Sequence, residues 1–238
     1  MNLFAFLALS FIPLAAGFIV LLLVVPHLKI LHCLLACILS IAAVLPIAFI
    51  QYFVMGLPVF NTNTFVSLLI TAVLFNGVIE ETVKMCFLAF IPQKKMTAST
   101  FLACSLLFGL ALGSFESVIY LIKRIQEIGL PGGNADALTL IVIRMLTAVL
   151  IHTFCAGLSG MYLWLFRHKH NNVIPFVYAV LLHGVYNFFA AFSTGYRWFS
   201  IVAIVFAMLE CRIWWKNAKN IDSDDFSATS SEKTIDKI

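Results

Sequence analysis

Two adjacent glutamates and a lysine interrupt a segment that is otherwise almost entirely apolar. Glu80, Glu81 and Lys84 lie in the stretch GVIEETVKM, inside a hydrophobic run over Thr64–Ile91. Residues four apart share one face of a helix, so Lys84 is expected to pair with Glu80. Glu81 lies about 100° further around the same helix, on the flank of that face. A carboxylate in an apolar cavity can act as a general base towards water.

Three later apolar segments carry similar residues, spaced so that each segment has one polar face. These residues are Glu116, then Arg144 with His152, then His183 with Asn187. Gly109 and Gly113 precede Glu116 and form a Gly-x-x-x-Gly pair, which lets a neighbouring helix approach closely. A charge near the centre of a membrane helix costs roughly 2.5–3.5 kcal/mol. We therefore expect the polar faces to turn inward to a common cavity.

Two kinds of hydrolytic chemistry suit this set of residues. In the first, Glu80 and Glu81 activate a water molecule. His183 and Asn187, one turn apart, then donate hydrogen bonds to the oxyanion that forms on an amide. In the second, zinc is held by a set of glutamates and histidines, for which the candidates are Glu80, Glu116, His152 and His183. No His-Glu-x-x-His sequence occurs, which excludes a thermolysin-like zinc helix.

The elements that carry these residues are predicted to be membrane-spanning helices. Only 11% of the 238 residues are charged, and the mean hydropathy is +1.03, whereas soluble domains carry about 25% charged residues. Apolar runs long enough to cross a bilayer recur along the chain. The fold class is therefore all-α, a polytopic bundle with seven predicted spans: Leu3–Val25, Ile30–Met55, Thr64–Ile91, Thr97–Ile122, Leu138–Phe166, Val173–Phe192 and Tyr196–Trp215.

One membrane domain over residues 1–216 accounts for these spans, and the polar residues 217–238 are predicted to form a disordered cytoplasmic tail. The first span has no basic region before it and no cleavage site after it, so we do not interpret it as a signal peptide. Lys123–Asp136 contains Pro131, Gly132 and Gly133 and is predicted to be a surface loop.

Basic residues are distributed unevenly between the two sets of loops. Ten Lys and Arg residues fall on one side and three on the other. By the positive-inside rule, the N-terminus is expected outside the cell membrane and the C-terminus in the cytoplasm. No basic stripe with interleaved aromatic residues indicates nucleic-acid binding. The six cysteines lie in or beside the spans and suit buried packing better than a disulfide framework.

Taken in order, the four motifs resemble the PrsW family of intramembrane proteases, which is related to the type II CAAX-prenyl proteases. They are Glu-Glu-x-x-Lys, a Gly- and Phe-rich segment ending in Glu116, Arg144 with His152, and HGVYN, all within residues 64–190. The resemblance implies a multi-pass protease that cuts a single-span membrane protein, such as an anti-sigma factor. It also implies a site formed by Glu80, Glu81, Glu116, His152 and His183. Ser117 stands where the resemblance predicts Asn.

Other functions use the same residue types. Buried carboxylates and histidines also form proton relays and ion pathways, so a proton- or ion-coupled transporter or channel is an alternative. A protease of the CAAX-processing type and a non-catalytic scaffold are further alternatives. Lys84 and Arg144 are expected to support the site rather than to react. For a protease with this topology, we expect cleavage near the extracytoplasmic face.

Overall fold

The computed structural model describes residues 3–55, 64–93, 96–128, 134–192 and 195–235. Within these ranges all regular structure is helical, which confirms the predicted all-α class. The α-helices are α1 (Leu3–Ser10), α2 (Ile12–Val24), α3 (Ile30–Met55), α4 (Phe65–Ile70), α5 (Val78–Leu88), α6 (Ala98–Ile128), α7 (Asn134–Leu146), α8 (Ala148–Arg167), α9 (Ile174–Ala190) and α10 (Phe199–Ile235). A π-helical turn (Thr71–Gly77) joins α4 to α5, and a 3₁₀ turn (Gly195–Trp198) precedes α10.

The described helices form a polytopic membrane bundle, as predicted. Six helical stretches are long and apolar enough to cross a membrane: Leu3–Val24, Ile30–Val54, Phe65–Leu88, Ala98–Glu127, Ala135–Arg167 and Gly195–Ser223. The remaining predicted span corresponds to α9, an apolar helix of 17 residues. This is at the lower end of the roughly 17–25 residues that a spanning helix needs.

Three of the predicted spans have an interruption of the α-helix within their length. The first breaks at Phe11, where Pro13 lies in the opening turn of α2 and has no N–H to continue the preceding helix. The third contains the π-helical turn, immediately before Glu80 and Glu81. The fifth breaks at Thr147, whose backbone angles (φ −128°, ψ −75°) are not helical. Two of these interruptions lie in spans that carry residues of the polar cluster.

Helix α8 is the centre of the bundle, since fifteen of its twenty residues are buried. Its closest neighbour is α6, and the two glycines of the Gly-x-x-x-Gly pair lie at their crossing. A Cβ added at Gly109 would clash with the His152 carbonyl and lie 2.6 Å from Thr153 Cα. A Cβ added at Gly113 would lie 2.8 Å from Val149 Cα. The close approach expected from this pair is confirmed, and it brings the backbone at His152 against α6.

A second close approach places the π-helical turn against α9. A Cβ on Gly77 would lie 2.6 Å from the Val180 carbonyl oxygen, and one on Gly184 would lie 2.6 Å from Val73 Cα. Only glycine at both positions allows the two backbones to touch. This contact fixes the start of α5 beside the segment of α9 that carries His183.

The last described helix extends into the residues that were predicted to form the tail. Helix α10 continues beyond residue 216 through Ile235. Ala218 is fully buried, and the Asp222 carboxylate accepts hydrogen bonds from the backbone N–H groups of Ala98 (2.6 Å) and Ser99 (3.1 Å) at the start of α6. A carboxylate at this position caps the free N–H groups of a helix and favours its dipole. The described residues do not include 236–238 of the predicted tail. They also do not include 129–133 of the predicted loop Lys123–Asp136. The rest of that loop is mostly helical, since α6 extends to Ile128 and α7 begins at Asn134.

We expect Gly109→Ala to destabilise the protein by about 1–3 kcal/mol, because the added methyl group has no space at the α6–α8 crossing. The measurement is the thermal unfolding midpoint in detergent. Gly195→Ala is the matched control, since a Cβ there meets no atom within 4 Å. Equal midpoints for the two variants would contradict the close approach described above.

Candidate active site

Five helices bring the predicted polar residues into one cluster. Helix α5 carries two glutamates and a lysine, α6 one glutamate, α7 one arginine, and α8 and α9 one histidine each. These residues are Glu80, Glu81, Lys84, Glu116, Arg144, His152 and His183. Most of them are buried, and Glu81, Lys84 and His183 have no accessible surface. The side chains therefore satisfy their charges and hydrogen bonds mainly with one another.

Glu81 accepts the hydrogen bonds at the fully buried end of this network. Its Oε1 accepts hydrogen bonds from Lys84 Nζ at 2.6 Å and from His183 Nδ1 at 2.7 Å. Its Oε2 accepts from Ser159 Oγ at 2.8 Å. The sequence-based pairing of Lys84 with Glu80 is thus replaced by a Lys84–Glu81 ion pair, because the lysine side chain turns towards the fully buried carboxylate. With both oxygens engaged, Glu81 is held in one orientation.

Glu116 forms the other end of the network. Its Oε2 accepts hydrogen bonds from His152 Nε2 at 2.6 Å and from Arg144 Nη2 at 2.9 Å. Arg144 Nε also donates to Ser117 Oγ at 3.3 Å, and Ser117 Oγ donates to the Gly113 carbonyl. The Arg144 guanidinium lies 3.9 Å from the centre of the Tyr120 ring, a cation–π contact. Ser117 therefore helps to hold the arginine that pairs with Glu116.

Glu80 lies between the two histidines. Its Oε1 accepts a hydrogen bond from Gln51 Nε2 at 2.8 Å. Its Oε2 is 3.4 Å from His183 Nε2 and 3.7 Å from His152 Nδ1. His183 Nε2 is buried and has no hydrogen-bond partner in the described part of the chain. His183 Nδ1–H donates to Glu81, so in the neutral imidazole Nε2 presents a lone pair towards Glu80 Oε2.

Two residues of the cluster escaped the sequence analysis, and one predicted residue does not join it. Gln51, a lone glutamine in the apolar α3, reaches Glu80, and Ser159 reaches Glu81. An isolated amide inside an apolar span was the signal for Gln51, whereas Ser159 lies among small residues and gave none. Asn187 is half-buried one turn after His183, and no described hydrogen bond links its side chain to the cluster.

The donor set fits a zinc ion. One donor atom each from Glu80, His152 and His183 lies within 4.8 Å of the others. Ligands about 2.0–2.2 Å from a tetrahedral zinc are about 3.4 Å apart, close to the separations of Glu80 Oε2 from the two imidazoles. The unpartnered His183 Nε2 and the carboxylate on its Nδ1 match the usual arrangement around a zinc-bound histidine. Lys84 Nζ, 3.1 Å from His152 Nδ1, competes for that nitrogen.

Charge and exposure both vary across the cluster. Three glutamates face two permanent cations, Lys84 and Arg144, so with neutral histidines one negative charge is not balanced by a cation of the cluster. A bound cation or an added proton would balance it.

Glu116 and Arg144 have side chains 28% and 14% exposed, whereas that of Glu80 is 8% exposed. The Glu116 side is therefore the more open side of the cluster.

A protein-family model decides the family to which this chain belongs. The model, described as PrsW family intramembrane metalloprotease, matches residues 29–210, which is most of the chain. The chain is a member of the PrsW family. The match includes α3 and the first part of α10, through Glu210, as well as the four motifs. Among curated proteins and solved structures, none matches the chain. This PrsW protein is thus a multi-pass membrane protein of an intramembrane protease family, and its Glu–His–His cluster lies within the matched region.

If the cluster holds zinc, we expect purified protein to contain about one equivalent, as in zinc sites with three protein ligands. The His183→Ala variant should lose it, because it removes the unpartnered donor. The measurement is elemental analysis after dialysis against trace zinc. His170→Ala is the control, since His170 is exposed in the segment between α8 and α9. Equal zinc content in wild type and His183→Ala would contradict this ligand assignment.

Proposed function

We propose that this PrsW-family protein is an endopeptidase that hydrolyses a peptide bond in a single-span membrane protein, with Glu80 acting on the attacking water. The observation that carries the proposal is the facing pair of Glu80 Oε2 and His183 Nε2, 3.4 Å apart in a buried cluster. One carboxylate oxygen and one imidazole nitrogen converge there, whereas Glu80 Oε1 and His183 Nδ1 are each engaged with a neighbour. Reactive groups of this kind are typical of a hydrolytic site.

In this proposal the three glutamates have different roles. Glu80 takes a proton from water as the water oxygen bonds to the peptide carbonyl carbon. It returns the proton to the leaving amine when the C–N bond breaks. Glu81 orients His183, and Glu116 orients His152, each through a hydrogen bond to one ring nitrogen. Both are positioning residues, because both oxygens of Glu81 and Oε2 of Glu116 already accept hydrogen bonds from protein donors.

Glu80, His152 and His183 are also the residues that would hold a zinc ion; a zinc-bound Glu80 would be a ligand, so Glu80 acts as the base only in hydrolysis without a metal. When bound, zinc lowers the pKa of a water and polarises a carbonyl oxygen. In hydrolysis without a metal, a protonated His183, through Nε2–H, and Asn187 donate hydrogen bonds to the developing oxyanion. Asn187 follows His183 by one turn of α9, so both side chains project from the same face of that helix.

The substrate we propose is a membrane-anchored protein with one span, for example an anti-sigma factor. A site enclosed by membrane helices suits a substrate that arrives through the lipid. The PrsW family match favours hydrolysis over the transporter alternative. It also favours a PrsW-type role over processing of CAAX proteins.

We place cleavage near the extracytoplasmic face of the cell membrane. The charge distribution supports an external N-terminus and a cytoplasmic C-terminus. On that topology α6 runs outwards, and Glu116, the more exposed end of the cluster, lies towards the outer half of this helix. Water would reach the site from that side. A substrate helix also resists attack until its end unwinds, because its backbone is hydrogen-bonded in lipid.

We expect Glu80→Gln to lower kcat by about 10²–10⁴-fold, the usual contribution of a general base. Its folding should be retained, since the Gln51 amide can still donate to the oxygen of the new side chain. Glu81→Gln should lower both activity and thermal stability, because removing the charge breaks a buried ion pair, a change that costs about 3–5 kcal/mol. The measurements are the rate at which a single-span substrate is cleaved in liposomes and the thermal unfolding midpoint of each variant.

Glu210→Gln in α10 is the matched control, because Glu210 lies outside the cluster, and it should behave as wild type. Wild-type kcat in Glu80→Gln would reject Glu80 as the general base. Equal loss of stability in Glu80→Gln and Glu81→Gln would reject the division of roles between them.

The cleavage position can be measured directly. With a single-span substrate, sequencing the new N-terminus of the product should place the cut at the extracytoplasmic end of the span or just outside it. Reporter fusions after Asn217 should be active in the cytoplasm. A cut on the cytoplasmic side, or a reporter active outside the cell, would contradict this part of the proposal.

A further inference from the structure

Helix α3 contributes one side chain to the cluster. Gln51 lies in an otherwise apolar stretch near the C-terminal end of α3, and its Nε2 donates to Glu80 Oε1 at 2.8 Å. The same nitrogen is 3.4 Å from Asn76 Oδ1. Gln51 precedes the motif region of residues 64–190, but it lies inside the family match, which begins at residue 29.

The chemistry of the partners determines which end of the Gln51 amide faces Glu80. An ionised carboxylate only accepts hydrogen bonds, so the nitrogen of the amide must face it. This nitrogen has two hydrogens, and its second neighbour is the amide oxygen of Asn76. Asn76 lies in the π-helical turn, four residues before Glu80. Gln51 is therefore held from one side by Asn76 while it binds the carboxylate with the other hydrogen.

This contact makes the two carboxylate oxygens of Glu80 inequivalent. Oε1 is bound to Gln51, whereas Oε2 faces His183 Nε2 and His152 Nδ1. The terminal torsion of a glutamate side chain is broad and has no strong intrinsic preference. A hydrogen bond from a neighbouring helix is thus what restricts rotation of the carboxylate plane.

We infer that Gln51 is a positioning residue for hydrolysis: it fixes the Glu80 carboxylate so that Oε2 faces the two histidines. The inference rests on the proposed function, because it concerns the orientation of the group that acts on water. It also gives α3 a role beyond packing. A displacement of α3 relative to α5 would turn the reactive carboxylate without any change in the histidines.

The first test is Gln51→Met, which keeps a similar side-chain volume and removes the donor. We expect kcat to fall by about 10–100-fold, the usual effect of removing an outer hydrogen-bond partner of a site residue. KM should stay at the wild-type value, since Gln51 is not proposed to contact the substrate. Gln93→Met is the matched control: its side-chain amide is buried and has no described hydrogen-bond partner, and it should keep wild-type kcat.

The second test is Gln51→Leu, which removes the donor and leaves an apolar side chain that suits a membrane helix. We expect a comparable loss of kcat in the folded protein. If Gln51→Met does not fold, this variant tests the positioning role of Gln51 in its place. A merely structural role predicts a lower unfolding midpoint with kcat preserved in the folded fraction, and that result would overturn the inference. A rise in KM equal to the fall in kcat would also overturn it.

The test separates this inference from the proposed function. If wild type cleaves the substrate and Glu80→Gln does not, the proposed function stands. Wild-type kcat in Gln51→Met and Gln51→Leu would then reject only the role of Gln51. If Glu80→Gln cleaves as fast as wild type, the proposed function itself fails, and the inference fails with it.

Discussion

The structure depends on the pairing of charges that are removed from water. Glu81 and Lys84 are fully buried, and their contact at 2.6 Å is the centre of the polar cluster. Either charge alone would be strongly destabilising in this environment, and an ion pair with additional hydrogen bonds offsets much of the desolvation cost. Ser159 and His183 supply those additional bonds to Glu81. The positions of α5, α8 and α9 are therefore tied to one carboxylate.

Close contacts between helix backbones make this pairing geometrically feasible. Gly109 and Gly113 let α6 approach α8 at His152, and Gly77 with Gly184 lets the π-helical turn approach α9. In lipid, small residues favour helix association because dispersion contacts replace the hydrophobic effect. The same glycines that pack the bundle thus bring the histidines within hydrogen-bond distance of glutamates on other helices. Packing and site geometry are consequences of the same contacts.

The cluster divides into a supported part and a reactive part. Glu81 and Glu116 each bind one ring nitrogen of a histidine, whereas the Glu80 Oε2 and His183 Nε2 atoms face each other without a hydrogen bond between them. In a site of low dielectric, polar atoms left without partners are costly. Their presence at the centre of a PrsW-family fold is consistent with a place for water, a metal ion or substrate. The exposed side of Glu116 marks where that place is nearest to solvent.

The amino-acid sequence by itself determined the membrane helices, the buried ionisable residues and the helix faces on which they lie. These properties follow from local hydropathy and from the helical period, which act over a few turns. Only the tertiary structure decided that Lys84 pairs with Glu81, that Gln51 binds Glu80 and that Ser159 binds Glu81. The last two contacts join residues that are separated by 29 and 78 positions in the sequence, respectively. They therefore depend on how the helices pack. The break at Thr147 and the contacts of Ala218 and Asp222 in α10 were likewise settled by packing, since hydropathy is insensitive to helix geometry.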